Sequence, residues 1–259
     1  MGCGSSKQAD SRPASARPVP SRRAHPVELQ HMGAASTSGT QTNPERTGKP
    51  MSPKVRAELL NATHRAFGDL DYCVIGGCAL AEYGNQRGTS DLDVMVPHEI
   101  SEVVTGQLLS HGIVRTARGG LGYIASNGQC YGLDITTDRA VGQRFPNTQQ
   151  VSGTTARLMP IRSLLNSKAY SYMTRAGSDA SVKKSSDAQD ILFIVNNMRM
   201  NNLVTNRNEC PWVVDYDFWT EFCQRYPRAE NDFRSLGLQR DATPNSSHRS
   251  SRSRASSRT

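Results

Sequence analysis

The stretch Gly76-Gly77-Cys78-Ala79-Leu80-Ala81-Glu82-Tyr83-Gly84-Asn85-Gln86-Arg87-Gly88-Thr89-Ser90-Asp91-Leu92-Asp93-Val94 decides how the chain is read. Just before it, Tyr72-Cys73-Val74-Ile75 is a short apolar run that stops at the paired glycines. Cys78 to Gly84 then has the make-up of a short helix closed by glycine. Glycines between a strand and a helix let a phosphate approach the unpaired N–H groups at the helix start, although two glycines in a turn are more often only a turn. Further on, Leu92-Asp93-Val94-Met95-Val96-Pro97 reads as a second strand ended by proline. Side chains alternate along a strand, so Asp91 and Asp93 share one face while Leu92 and Val94 turn to the core. Two carboxylates placed in this way suit hard divalent ions, which take oxygen ligands and bridge to phosphates.

Ahead of this stretch, Ser52-Pro53 starts a helix as cap and first-turn proline, and Val55, Leu59, Leu60, Thr63 and Phe67 recur at helical spacing after it. Glu99–Gly112 is read as an amphipathic helix carrying Ile100, Val103, Val104, Leu108 and Leu109 on one stripe. Two strands are expected over Leu121–Ala125 and Tyr131–Thr136, joined by the hairpin signal Ser126-Asn127-Gly128. Helices follow over Ile161–Arg175, Ser186–Met200 and Asp217–Tyr226. The last of these has Phe218, Trp219, Phe222 and Tyr226 on one side, a pattern that fits core packing better than base stacking because no basic residues interleave with the rings.

Gly132-Leu133-Asp134-Ile135 repeats the pattern of an acid between apolar neighbours on another expected strand, which offers a third carboxylate beside Asp91 and Asp93. Clustered acids repel one another in a site of low dielectric, and a cation is the natural compensation. Each aspartate taken singly reads as an ordinary strand-end carboxylate; the three together do not. Lys168, Tyr172 and Arg175 fall on one helical face. That face reads equally as a solvated basic surface or as a pair of cations for a triphosphate. Asp187 and Asp190 read as partners for those cations or as a cap, and Arg87 as a phosphate contact or a salt-bridge partner.

The formal charge of +8 is uneven along the chain. Residues 1–50 hold 7 Lys/Arg against 3 acids, residues 240–259 hold 5 Arg against 1 acid, and residues 51–239 hold 19 of each sign. Both ends are poor in apolar residues and read as disordered, because they cannot bury enough surface to offset the entropy of ordering. The neutral middle does not favour long nucleic acid as a partner. The expected division is a basic leader over 1–50, a catalytic core over 51–160, a helical part over 161–239 and an Arg/Ser tail over 240–259. The opening Met1-Gly2-Cys3-Gly4-Ser5-Ser6 matches the N-myristoylation pattern at Gly2, with Cys3 available for palmitoylation. Lys7, Arg12, Arg17, Arg22 and Arg23 would add attraction to an anionic membrane surface. Six cysteines without paired spacing speak against zinc. Neither a secretory signal nor a spanning segment is evident in the sequence, so the expected location is cytoplasmic, with free thiols, on the inner face of a membrane if lipidated.

The run Gly76-Gly77-x-Ala79-Leu80-x-x-x-Gly84-x-x-Arg87-x-Thr89-x-Asp91-Leu92-Asp93-Val94 resembles the signature of the polymerase-beta-type nucleotidyltransferase superfamily. It is nearest to the small-domain branch that includes abortive-infection toxins and antibiotic nucleotidyltransferases. Lys168, Arg175, Lys184 and Asp187-x-x-Asp190-Ile191 resemble the basic and acidic helices that follow the catalytic sheet there, so the likeness covers a little over half the chain. It implies an α/β (α+β) nucleotidyltransferase fold, with a small mixed sheet flanked by helices and a helical C-terminal part. It further implies that Asp91, Asp93 and Asp134 hold two magnesium ions, that Asp134 helps to deprotonate the attacking hydroxyl, and that Gly76, Gly77 and Cys78 meet a nucleoside triphosphate along with Arg87, Lys168 and Arg175. Cys78 departs from the pattern, since many members carry serine there and a thiol is the poorer donor. The function expected is metal-dependent transfer of a nucleoside monophosphate to an unknown acceptor hydroxyl. The alternatives are an inactive adaptor or nucleotide sensor of the same fold at a membrane, and an RNA-associated protein acting through the Arg/Ser tail.

Overall fold

The computed structural model describes residues 43–141, 143–150 and 155–243. Gly2, Cys3 and the Arg/Ser run after residue 243 lie outside the described residues. Eight α-helices and five strands are formed among them: α1 Pro53–Phe67, β1 Cys73–Ile75, α2 Gly76–Glu82, β2 Asp91–Val96, α3 Ser101–Ser110, β3 Val114–Arg115, β4 Leu121–Ile124, β5 Cys130–Thr137, α4 Ile161–Thr174, α5 Ala180–Met200, α6 Pro211–Val214, α7 Tyr216–Arg225 and α8 Arg228–Ser235. No helix among the described residues is long and apolar enough to cross a membrane.

The strands make one mixed sheet in the order β1-β2-β5-β4-β3. Its central pair, β2 and β5, is parallel, and every other pairing is antiparallel. The register places Asp91 opposite Gly132 and Asp93 opposite Asp134, so the third acid arrives beside the second by strand pairing alone. Leu92 and Val94 are fully buried, as the alternation requires. The outer edge of β1 is not left open: Leu158 bridges to Val74, whose N–H donates to the Arg157 carbonyl at 2.8 Å.

The Ser52 hydroxyl caps α1 by accepting from the Val55 N–H at 3.3 Å, with Pro53 in the first turn. Buried residues Leu59, Leu60 and Phe67 carry its inner face. The hairpin turns at Gly128, whose φ of 74° is the left-handed conformation that glycine enters freely. In the C-terminal part, Phe218, Trp219 and Phe222 are buried against Tyr172 and Phe233, with Trp219 and Phe233 ring centroids 5.2 Å apart. These aromatics are core, not a stacking surface.

Several elements differ from expectation. Helix α2 begins at Gly76, so the paired glycines are its first residues rather than a turn ahead of it. Helix α5 begins at Ala180, six residues before Ser186, because its first turns are polar and Val182 is 74% exposed, leaving no apolar stripe to read. On α3 only Val104 and Leu108 are buried; Val103 faces solvent at 61% exposure, and Ile100 belongs to a preceding 3-10 turn. The short elements β3, α6 and α8 have no counterpart in the sequence reading. Residues 43–50, read as leader from their composition, are bonded to the sheet: Thr47 N–H donates to the Cys130 carbonyl at 2.7 Å, and Met51 N–H to the Thr89 carbonyl at 2.8 Å.

Candidate active site

Asp91 opens β2 and is held from its own loop. The Thr89 hydroxyl lies 3.1 Å from both the Asp91 carbonyl and its Oδ1, and can donate to either. The Cys78 thiol, fully buried in α2, donates to the same carbonyl at 3.3 Å. Burial, with the charges of Asp93 and Asp91 behind it, pushes that thiol well above its ordinary range, so it stays protonated as a donor. The structure therefore turns the Cys78 side chain inward to the Asp91 backbone.

Asp93 lies over the start of α2. A Cβ on Gly76 would stand 2.1 Å from Asp93 Oδ2, and Gly76 has a φ of 63°, so a glycine is required there twice over. Gly77 is crowded by Thr89 in the same way, with Oγ1 2.8 Å from an added Cβ. Burial and the neighbouring Asp91 raise the Asp93 pKa to about 6, with Asp134 adding to the rise and Lys168 and Arg175 opposing it. Asp134 is the most open of the three, its side chain 49% exposed, and its Oδ1 meets Arg46 Nη2 at 2.8 Å.

One carboxylate oxygen from each of Asp91, Asp93 and Asp134 lies within 4.8 Å of the others. Oxygens on opposite sides of one magnesium stand about 4.2 Å apart, so this spacing fits shared coordination of small divalent ions.

The opposite wall is basic and internally paired. Lys168 Nζ reaches Asp187 Oδ1 at 3.1 Å and Asp190 Oδ2 at 2.8 Å, while Arg175 Nε reaches Asp187 Oδ2 at 2.8 Å. Arg87 grips Asp190 with two bonds of 3.1 Å. Both acids are buried, and these cations are the partners that offset the cost of burying them. The motif arginine and the basic helix face are thus tied together through α5.

These groups surround one cleft of about 510 Å³, lined by Gly77, Arg87, Gly88, Thr89, Ser90, the three cluster aspartates, Lys168, Arg175, Lys183, Ser186 and Asp187. Gly76 and Cys78 stand behind this lining rather than in it. No site role was read for Lys183, Ser186 or Arg46, and Thr89 stood only as a position of the motif. For Thr89 a signal existed, a hydroxyl two residues ahead of the first acid. For Arg46 there was none, because its partner is 88 positions away. A second cavity, about 660 Å³ and lined by residues including Tyr83, Arg162 and Asn197, has a single acid, Glu82, which is paired to Arg56 at 2.7 Å.

No protein-family model matches the chain, and no curated protein does. Among solved structures it is similar to an antigenic nucleotidyltransferase-like protein from Paracoccidioides brasiliensis, with a TM-score of 0.55 and 17% identity over 75% of this chain and 98% of that one. It also matches the antibiotic-resistance factor ANT(2'')-Ia, at a TM-score of 0.39 and 13% identity over 70% of this chain and 97% of that one. The first likeness, with the mixed five-stranded sheet and the helices that follow it, gives the chain a nucleotidyltransferase-type fold.

Proposed function

We propose that the chain is a magnesium-dependent nucleotidyltransferase that moves a nucleoside monophosphate from a nucleoside triphosphate to an acceptor hydroxyl. The observation that carries this reading is the convergence of Asp91, Asp93 and Asp134 in one cleft with Arg87, Lys168, Arg175 and Lys183. The charged residues lining that cleft are four acids, counting Asp187, and four bases. Two divalent ions would give it a surplus of about four positive charges, close to the negative charge of a triphosphate.

In this reading Asp91, Asp93 and Asp134 would hold the ions, with Thr89 and Cys78 fixing Asp91 and the bare Gly76 backbone leaving room for Asp93. Bound there, two magnesium ions would neutralise the phosphoryl oxygens and align donor and acceptor. Arg175 and Arg87, each about a third exposed, turn their remaining N–H groups to the triphosphate, while the more enclosed Lys168 supports them through Asp187 and Asp190. Asp134, at the open side, takes the proton of the attacking hydroxyl. The new bond joins acceptor oxygen to the α-phosphorus, the α–β bridging bond breaks, and pyrophosphate leaves. Tethering to an anionic membrane surface through Gly2 and Cys3 belongs to the proposal on sequence pattern alone. It is checked by fractionating cells that express Gly2→Ala, which should leave the membrane fraction.

The test is incubation of the full chain with α-phosphate-labelled nucleoside triphosphates, magnesium and cell extract. Wild type should transfer label and the pair Asp91→Ala with Asp93→Ala should not. Label transfer that survives the pair contradicts the mechanism. Failure of wild type with all four nucleotides supports the adaptor or sensor reading instead.

A further inference from the structure

Pro44 to Met51 runs as a strap beside the start of β5 and the loop ahead of Asp91, next to the acidic cluster. The strap is bonded at both ends and in its middle: Ala117 N–H donates to the Pro44 carbonyl at 3.0 Å, Thr47 N–H to Cys130 at 2.7 Å, and Met51 N–H to Thr89 at 2.8 Å. Arg46 bridges in parallel to Cys130, so it occupies the place beside β5 that β2, which begins pairing at Gly132, leaves vacant.

The track beneath the strap is made of residues without a Cβ. A Cβ on Gly120 would stand 2.6 Å from Arg46 Nη2, one on Gly132 2.8 Å from Arg46 Nη1, and one on Gly88 2.9 Å from Pro50 Cβ. Three separate parts of the chain, the β3–β4 turn, β5 and the loop ahead of Asp91, are cut away where this one segment passes. Along that track the Arg46 guanidinium is delivered to Asp134 Oδ1 at 2.8 Å.

We infer that Arg46 is a tethered competitor for cation binding at Asp134, and that the strap thereby sets how readily the cluster takes its second divalent ion. The inference rests on the metal-site reading above. A guanidinium on one oxygen of a carboxylate and a divalent ion on the same carboxylate repel each other at contact distance, so Arg46 weakens the ion's hold on Asp134 and swinging off it removes that cost. Because the strap backbone stays bonded, the arginine remains at hand and returns when the ion leaves. The pair is half exposed on the Asp134 side, and an ion pair of that exposure is worth a factor of up to about five in an equilibrium constant. Removing a positive charge from beside the ion adds to this.

Mn²⁺ binding to the full chain, followed by the free-ion electron paramagnetic resonance signal, tests the inference on wild type, Arg46→Met and Gly120→Ala. The first variant keeps the stem and loses the charge; the second keeps the arginine but puts a Cβ 2.6 Å from its Nη2, so the guanidinium must shift from the place where it meets Asp134. Both should bind the weaker of two ions roughly three- to tenfold more tightly than wild type. Equal affinity in all three, or weaker binding in Arg46→Met, overturns the inference while leaving the metal site standing. Absence of Mn²⁺ binding in every protein removes the metal site and this inference together.

Discussion

Asp93 lies between Asp91 and the directly paired Asp134, and its raised pKa of about 6 makes it a pH-sensitive group in the cleft. Between the ordinary carboxylate value and about 6, the folded chain holds a proton that the unfolded chain has released. Stability without metal therefore falls as pH rises from about 4 to about 6, by on the order of 3 kcal/mol for this group, and stays at the lower level above that. Metal affinity has the opposite slope, because only the ionised carboxylate binds, so Mn²⁺ should bind more tightly as pH passes through about 6. Asp93→Asn is expected to raise the metal-free melting temperature at pH 7 and to abolish the steep part of the Mn²⁺–pH profile. Thr89→Val leaves the aspartates in place but removes the hydroxyl that orients Asp91, and should weaken Mn²⁺ binding about tenfold in calorimetric titration. Gly76→Ala forces an L side chain to a φ of 63° and against Asp93, costing about 1–3 kcal/mol in urea unfolding and displacing the carboxylate.

Helices α4 and α5 act as one unit because Asp187 and Asp190 of α5 are buried between Lys168 and Arg175 on or beside α4 and Arg87 ahead of β2. Asp190→Asn removes the charge that two cations share and should cost about 3–5 kcal/mol in urea unfolding, whereas Lys183→Ala, which loses an exposed pair with Asp179, should leave the urea midpoint nearly unchanged. Such elements differ in how far they could be read beforehand. Strands β1, β2, β4 and β5 and helices α1, α4 and α7 carry their period or their turn residues locally, so alternation around Asp91-Leu92-Asp93 and the Asn127-Gly128 turn sufficed. The two-residue β3 is too short to have a period, and α8 is recognised only by Phe233 packing on Trp219 and Phe222 from another helix. The candidate site follows the same rule. The acids were legible because strand alternation places Asp91 and Asp93, and the apolar flanks of Asp134 mark a buried strand. The inward turn of the Cys78 thiol and the pairing of Arg87 with Asp190 depend on long-range packing that no local pattern encodes.

For the whole molecule, the charge lies at the ends: residues 51–239 hold 19 bases and 19 acids, and the net +8 comes from the remainder. Within the neutral part, the charged residues at the cleft again balance, which makes added divalent ions the natural source of attraction for a triphosphate. The folded unit also takes in part of the basic leader, since Pro44 to Met51 is bonded to the sheet and carries Arg46 to Asp134. In the function proposed above, Asp91, Asp93 and Asp134 are a divalent-cation site facing a triphosphate cleft. Crystals of the full chain grown with Mn²⁺ and a non-hydrolysable nucleoside triphosphate, measured for manganese anomalous scattering, test it most directly. Two anomalous peaks are expected between these three aspartates, with the triphosphate density extending toward Arg87 and Arg175. Triphosphate or manganese density bound elsewhere, with none between the aspartates, would contradict it.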